Sequence, residues 1–305
     1  MQLGQIISLL ETSVLVGLLY ALFTVGLSLS FRVLNYPDLT LEGSAIFGGA
    51  LCYLALKGGC NPFLSLLIGA AGGGIAGMLT AAQHLYLGIS KLLSGIISAA
   101  ILYSVNIRLL GGRSNVWFDG LRVAFEVLNP ARSRNGDIAV LAGFVLCTLA
   151  LCILLFRTRL GLLLRALGDN PSYVTSLSQS PGAITLWGLA IANGIIGLGG
   201  AILVQYKTAC DVNMSFGLLI SALAAMVLGE TIVAPKSIAG HLSASVIGTV
   251  TYTFAVALVL FSWSSSWDKL VMSSDVRLVT GLLLLVPAAV QMTRKRRFTL
   301  FHSDW

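Results

Sequence analysis

Phe156-Arg-Thr-Arg-Leu-Gly-Leu-Leu-Leu-Arg-Ala-Leu-Gly-Asp-Asn-Pro171 follows an apolar run that reaches back to Ile138 without a charged residue. A helix needs about 20 such residues to cross the hydrocarbon core of a bilayer. The run has no period-2 alternation, so it reads as a helix and not as a barrel strand. The charged insert beyond it holds Arg157, Arg159 and Arg165 and can form a short amphipathic helix. Pro171 disfavours a helical Asn170, so the helix is expected to break at Asn170-Pro171, with a second stretch from Ser172 to Ser180. A membrane chain without a soluble domain has few other places to dock a partner. A short surface helix can sit in a partner's groove and transmit rigid-body motion; the plain alternative is an interfacial loop.

Composition agrees with a membrane protein. Apolar residues make up 56% of the 305 positions and charged residues 10%, against about 25% charged in soluble domains. Mean hydropathy is +0.90. This length leaves room for roughly eight to ten spans, and the expected fold class is an all-α polytopic membrane protein with about nine transmembrane helices. The net charge of +7 comes from residues scattered over loops and a tail without interleaved aromatics. It therefore reads as topogenic charge and not as a nucleic-acid surface. The N-terminus lacks a basic n-region and carries Glu11 in its first apolar run, so that run is expected to be a retained span. Five cysteines without CxxC spacing read as packing residues.

The expected spans are about Ile6–Phe31, Leu41–Leu56, Pro62–Gln83, Leu92–Leu110, a fifth ending at Phe156, then Ile184–Tyr206, Met214–Gly229, Ile238–Trp263 and Val276–Met292. Between the first two lies Asn35-Tyr-Pro-Asp-Leu-Thr-Leu-Glu-Gly-Ser44. Pro37 and Gly43 make it either a tight loop or a broken helix at membrane depth. Gly69, Gly73 and Gly77 have the small-xxx-small spacing of close helix packing. Gly111–Asp137 is the longest polar stretch. Met214–Gly229 is short enough to raise a re-entrant half-helix, but a full crossing keeps the basic tail Thr293-Arg-Lys-Arg-Arg297 in the cytoplasm. That tail's density decides the orientation, because over all loops, the tail included, Lys and Arg divide almost evenly between the two sides. No repeat or linker divides the chain, so residues 1–305 are expected to form one transmembrane domain, with a cytoplasmic loop at about 157–183 and a basic tail at 293–305.

No GxxxxGK[ST] loop, GxSxG elbow, intramembrane Asp pair or close His pair occurs, so no catalytic residue, cofactor or metal ligand is expected. Polar residues at membrane depth tend to mark pathways. Asn35, Asp38, Glu42, Asn106, Asn193 and Gln205 are the candidates for a translocation pathway. Four of them have a plainer reading: Asn106 and Asn193 as interhelical hydrogen bonds, Asp38 and Glu42 as part of a helix start capped by Thr40. Glu230, at the end of a short span, reads as a solvated carboxylate.

The stretch Asn35–Ser44 resembles the N[FY]PDLT[VL][DE]GS signature of permeases in the branched-chain amino acid type ABC importer superfamily. Leu93-Ser-Gly-Ile-Ile, Tyr103-Ser-Val-Asn-Ile-Arg108 and Gly111-Gly-Arg-Ser-Asn115 are similar to a block of its tryptophan/tyrosine-type branch. Ala166–Pro171 resembles that branch's coupling segment, and Asn193-Gly194, Gly200–Tyr206, Asp211, Met214, Gly229-Glu230 and Ser274–Thr280 follow in order. Two stretches depart from the pattern: Ser178-Gln-Ser-Pro181 and Ala45-Ile-Phe-Gly-Gly.

The resemblance implies the permease fold of that superfamily and a solute importer of the bacterial inner membrane, possessing multiple spans and a cytoplasmic C-terminus. It implies cytoplasmic ABC ATPase subunits that use the ATP, an extracytoplasmic substrate-binding protein and a pair of permease subunits; with no dedicated surface for a different permease, a homodimer is expected, a second permease being the alternative. Transport would be inward, of a small solute such as an amino acid, by alternating access. Arg165, Gly168, Asp169, Asn170 and Pro171 would couple to the ATPase. A secondary transporter or facilitator that needs no ATPase is the alternative, although inverted repeats and buried ion-coupling carboxylates are not evident.

Overall fold

The computed structural model describes residues 3–266. The ninth expected span, Val276–Met292, and the basic tail lie outside them. Among the described residues, seven stretches are long and apolar enough to cross a membrane: Ile6–Val33, Pro62–Leu87, Lys91–Leu109, Arg134–Leu155, Pro181–Lys207, Val212–Val233 and Ile238–Phe261. The fold is that of an all-α, multi-pass membrane protein.

In chain order, α1 (Leu3–Ser28) runs into a π-helical turn at Leu29–Val33, followed by α2 (Leu41–Lys57), α3 (Pro62–Leu87) and α4 (Lys91–Leu109). After a short strand, β1 (Asn115–Trp117), come α5 (Ala124–Leu128), α6 (Arg134–Leu155), α7 (Arg159–Asp169), α8 (Pro171–Ser176) and α9 (Pro181–Lys207). Strand β2 (Ala209–Asp211), a 3-10 turn at Val212–Ser215, α10 (Leu218–Val233) and α11 (Ile238–Ser266) complete the described chain. Helices α1 and α9 are central: 78% of each one's apolar window is buried, against 28% for α4 and 22% for α6. The outward side chains of the peripheral helices, such as Leu146, Leu151 and Leu154 of α6, are apolar, as a surface facing lipid requires.

Glycine sets how closely the centre packs. The Gly69, Gly73 and Gly77 stripe faces α9. A Cβ on Gly73 would overlap the Asn193 carbonyl, and one on Gly77 the Leu189 carbonyl. Packing in a membrane depends on such close van der Waals approach, because lipid supplies no hydrophobic drive between helices.

The second expected span is shorter than a crossing. Asn35 takes a left-handed φ of 50°, and residues 35–39 have no regular structure. Helix α2 begins only at Leu41, with its start packed against the middle of α9 through Ser44 and Asn193. Residues 36–40 are therefore irregular backbone running into the bundle, a state tolerated at membrane depth only where protein encloses it. Tyr36 and Asp38 are 1% and 2% exposed.

One face of the bundle is closed by an antiparallel ribbon pairing Asn115 with Asp211 and Trp117 with Ala209. The opposite face carries α7 and α8. Cys210 lies in the ribbon and is fully buried. Burial, then Cys52 and Asp211, push its thiol up to about 12, so it stays protonated at neutral pH and the nucleophilic thiolate is scarce. A membrane-impermeant maleimide supplied on the ribbon side is expected to modify Cys60, partly exposed in the α2–α3 turn, and to spare Cys210 until the protein unfolds. Peptide mass spectrometry reads this, and labelling of Cys210 in the folded protein would contradict the packed ribbon.

Candidate functional site

The charged insert folds as two short helices broken at Asn170. Thr158 caps α7 through Gly161 N–H (3.4 Å), and the Asn170 Oδ1 accepts from Ser172 N–H (3.0 Å) at the start of α8, with Pro171 at its first turn. Leu164, Leu167 and Val174 face the bundle and are buried, whereas Leu162, Tyr173 and Leu177 are exposed. The five coupling candidates divide by position. Arg165 donates from Nη2 to the Phe156 carbonyl (3.2 Å) and stacks over the Phe156 ring (5.6 Å), so it anchors α7. Gly168 lies against the Val33 carbonyl and Leu34, at the end of the π turn. Asp169, Asn170 and Pro171 are exposed at the bend.

A polar chain crosses the middle of the bundle. The Asn193 Nδ2 donates to Asp38 Oδ2 (2.6 Å) and to the Leu189 carbonyl (3.1 Å), and its Oδ1 accepts from Ser44 Oγ (2.7 Å). Asp38 Oδ1 accepts from Thr40 N–H (2.9 Å), and the Thr40 and Thr80 hydroxyls lie 2.7 Å apart. Thr40 therefore bonds across to α3 instead of capping α2 with its side chain. Glu42 also departs from the simple helix-start reading. Its Oε1 accepts from Gly217 N–H (2.8 Å) and Leu219 N–H (3.4 Å), so it caps α10, a helix 175 residues away, and meets the positive end of that helix.

Beside this chain, a cavity of about 360 Å³ opens between α2, α4 and the 3-10 turn, lined among others by Glu42, Asn106, Tyr103 and Phe216. Of the pathway candidates, the structure brings Glu42 and Asn106 to this cavity and places Asp38 and Asn193 together behind it. Asn35 lies elsewhere, exposed at the α1–α2 turn, where its carbonyl accepts from Lys91 Nζ (3.3 Å). Gln205, fully buried, ties the ribbon face together. Its Oε1 accepts from Ala124 N–H (2.8 Å), and its Nε2 reaches Ser65 Oγ (2.8 Å) and the Pro62 carbonyl (3.1 Å).

The solvated reading of Glu230 is overturned. Its side chain is 10% exposed and grips Arg32 bidentately, with Nε–Oε1 at 2.7 Å and Nη2–Oε2 at 2.5 Å, while His241 Nδ1 lies 3.1 Å from Oε1. This ties the ends of α1, α10 and α11 on the α7–α8 face. Glu230→Ala is expected to lower stability by about 2 kcal/mol, between the values for surface and buried pairs. Thermal melting in detergent reads the loss, and an unchanged melt would mean that the triad adds nothing.

A family described as branched-chain amino acid transport system / permease component matches residues 9–286. The tyrosine transport system permease protein of Clostridioides difficile (strain R20291) is 30% identical over 272 residues, covering 88% of this chain and 86% of that protein. A probable branched-chain amino acid transport permease protein, LivH, of Methanocaldococcus jannaschii is 24% identical over 93% of this chain and 91% of its own length. The solved structure of PsaBC from Streptococcus pneumoniae in complex with Fab is 14% identical, with a TM-score of 0.49, covering 92% of this chain and 89% of that one. With nearly its whole length matched, the chain belongs to the permease component family of branched-chain amino acid transport systems.

Proposed function

We propose that this permease forms the membrane-spanning part of an ATP-binding cassette importer, carrying a small solute inward by alternating access driven by separate cytoplasmic ATPases. On this reading residues 1–305 form one transmembrane domain in a bacterial inner membrane, with the α7–α8 face and the C-terminus in the cytoplasm. The chain pairs as a homodimer and receives solute from an extracytoplasmic binding protein at the ribbon face, and the ATP is bound by the partner subunits. The relatives named for tyrosine and branched-chain amino acids favour an amino acid as solute.

The observation that carries the reading is the two-sided construction of α7 and α8. One side is anchored through Arg165 at the end of α6 and Gly168 at the end of α1, and the other presents an exposed bend at Asp169–Pro171 beside Tyr173 and Leu177. A part built to receive a push and pass it to α1 has this form. The ribbon face supports the other half: a cavity of about 290 Å³ there is lined by Lys57, Arg113, Asn115, Trp117 and Asp119, a polar recess suited to a soluble partner.

The test is co-purification with the candidate ATPase, followed by ATP-dependent uptake into vesicles of known orientation, for the native chain and for a chain with alanines at 165–171. Loss of the complex and of uptake in the altered chain is the expected result. Uptake without ATP by the chain alone would overturn the reading.

A further inference from the structure

We propose that the cavity between α2, α4 and the 3-10 turn is a selectivity site of the permease itself, reading a protonated amine joined to a flat ring. The inference rests on the transport reading and adds the chemistry of the solute and the residues that sense it. The cavity is about 360 Å³ and largely apolar in lining, a size that suits a small ligand. Besides the hydroxyls of Tyr103 and Ser215, of which the Ser215 hydroxyl is given to the Val212 carbonyl (3.5 Å), its polar side chains are Glu42 and Asn106.

Asn106 is 1% exposed, and its Nδ2 donates to the Gly43 carbonyl (3.3 Å). That bond fixes the amide so that Oδ1 is the remaining group, and this oxygen is buried without a hydrogen-bond partner. A buried carbonyl left unpaired bears its desolvation penalty in full, so a donor entering the cavity would relieve it. Glu42 spends Oε1 on the first amides of α10. Among the described residues no Lys, Arg or His forms an ion pair with Glu42. A carboxylate and an unpaired carbonyl together accept hydrogen bonds and attract positive charge. They favour an ammonium and reject a carboxylate. Tyr103 and Phe216, both roughly half exposed, have near-parallel rings, with centroids 6.2 Å apart and 27° between planes. They border the same cavity and offer a flat ring a surface on which to stack.

The experiment uses the complete permease–ATPase complex in nanodiscs, without a binding protein or ATP. Its probes are 2-phenylethylamine, 3-phenylpropanoate and butylamine, and binding is measured by calorimetry. Glu42→Gln keeps an oxygen for the α10 amides and removes the charge. The expected result is that 2-phenylethylamine binds about tenfold or more tightly than either other probe, and that Glu42→Gln weakens it by about tenfold. Butylamine binding as well as 2-phenylethylamine would remove the ring from the proposal. Equal binding of the amine and the carboxylate, no binding at all, or a signal unchanged by Glu42→Gln, as for simple partition into lipid, would overturn it. ATP-driven uptake by the same complex is scored separately, so failure of this site and failure of the importer reading remain distinguishable.

Discussion

Gly200→Leu is expected to cost about 3 kcal/mol or more of stability, the upper end for overpacking a close-packed interior. A Cβ at this position of α9 would overlap the Ala45 carbonyl oxygen and come within 3.1 Å of the Ala45 Cα. Those atoms are backbone, so no side-chain rotation can make room, and α2 as a whole would have to move. It has little freedom to do so. Along the same interface Gly48 of α2 lies against Gly197 of α9 and Ser44 is bonded to Asn193, and α3 adjoins it, where a Cβ on Gly69 would reach the Gly48 carbonyl. Glu42 would move with α2, and with it the cap on α10. The loss is read as a lower melting temperature and a lower folded yield in detergent. Gly143→Leu is the control: nothing lies within 4 Å of its added Cβ, and a glycine inside a helix is itself unfavourable by about 1 kcal/mol relative to alanine. Equal melting of the two variants would mean that α2 and α9 are not packed backbone to backbone.

The elements that could be read from sequence are those whose causes are local. The uncharged run ending at Phe156 forms α6, and the Asn170-Pro171 break falls between α7 and α8, because apolar length and proline stereochemistry act within a few residues. Small-xxx-small spacing likewise marked the face of α3 that meets α9. Asn35–Ser44 was half legible: Pro37 and Gly43 signalled a break, but its depth depends on what surrounds it. Glu230 was misread because its partner Arg32 is 198 residues away, and a carboxylate at a helix end looks the same whether paired or hydrated. The ribbon was missed because each strand is three residues long, too short for alternation to register. Within the pathway candidates, residue type identified polar groups at membrane depth but not their partners. Gln205 and Asn106 are alike in sequence, yet in the fold Gln205 has both ends of its amide bonded and Asn106 has an oxygen left over.

Gly168→Leu is expected to reduce the ATPase retained by the purified permease by about tenfold or more, which corresponds to roughly 1.4 kcal/mol of binding, while the bundle melts within a few degrees of the native protein. A Cβ on Gly168 would overlap the Val33 carbonyl and crowd that of Leu34, so α7 has to lift from the end of α1. The lift is local, because α7 is a short surface helix whose other attachments, the Arg165–Phe156 contact, the Gly161 seat on Leu155 and Phe156 and the buried Leu164 and Leu167, lie N-terminal to Gly168. The central packing of α1, α3 and α9 does not include Gly168. The exposed bend is affected most: Asp169 and Asn170 follow Gly168 directly, and the Asn170 side chain holds the first turn of α8. Moving that cap displaces Pro171 and Tyr173 together, so one methylene-scale clash re-aims the whole contact surface. Asp169→Ala separates aim from contact, since it alters the exposed bend without shifting α7 and should weaken retention less. If Gly168→Leu retained the ATPase as well as the native chain does, the seat on Val33 would not be what presents the bend. The force delivered to α1 would then have to enter elsewhere on this face, where the Arg32–Glu230–His241 triad joins α1 to α10 and α11.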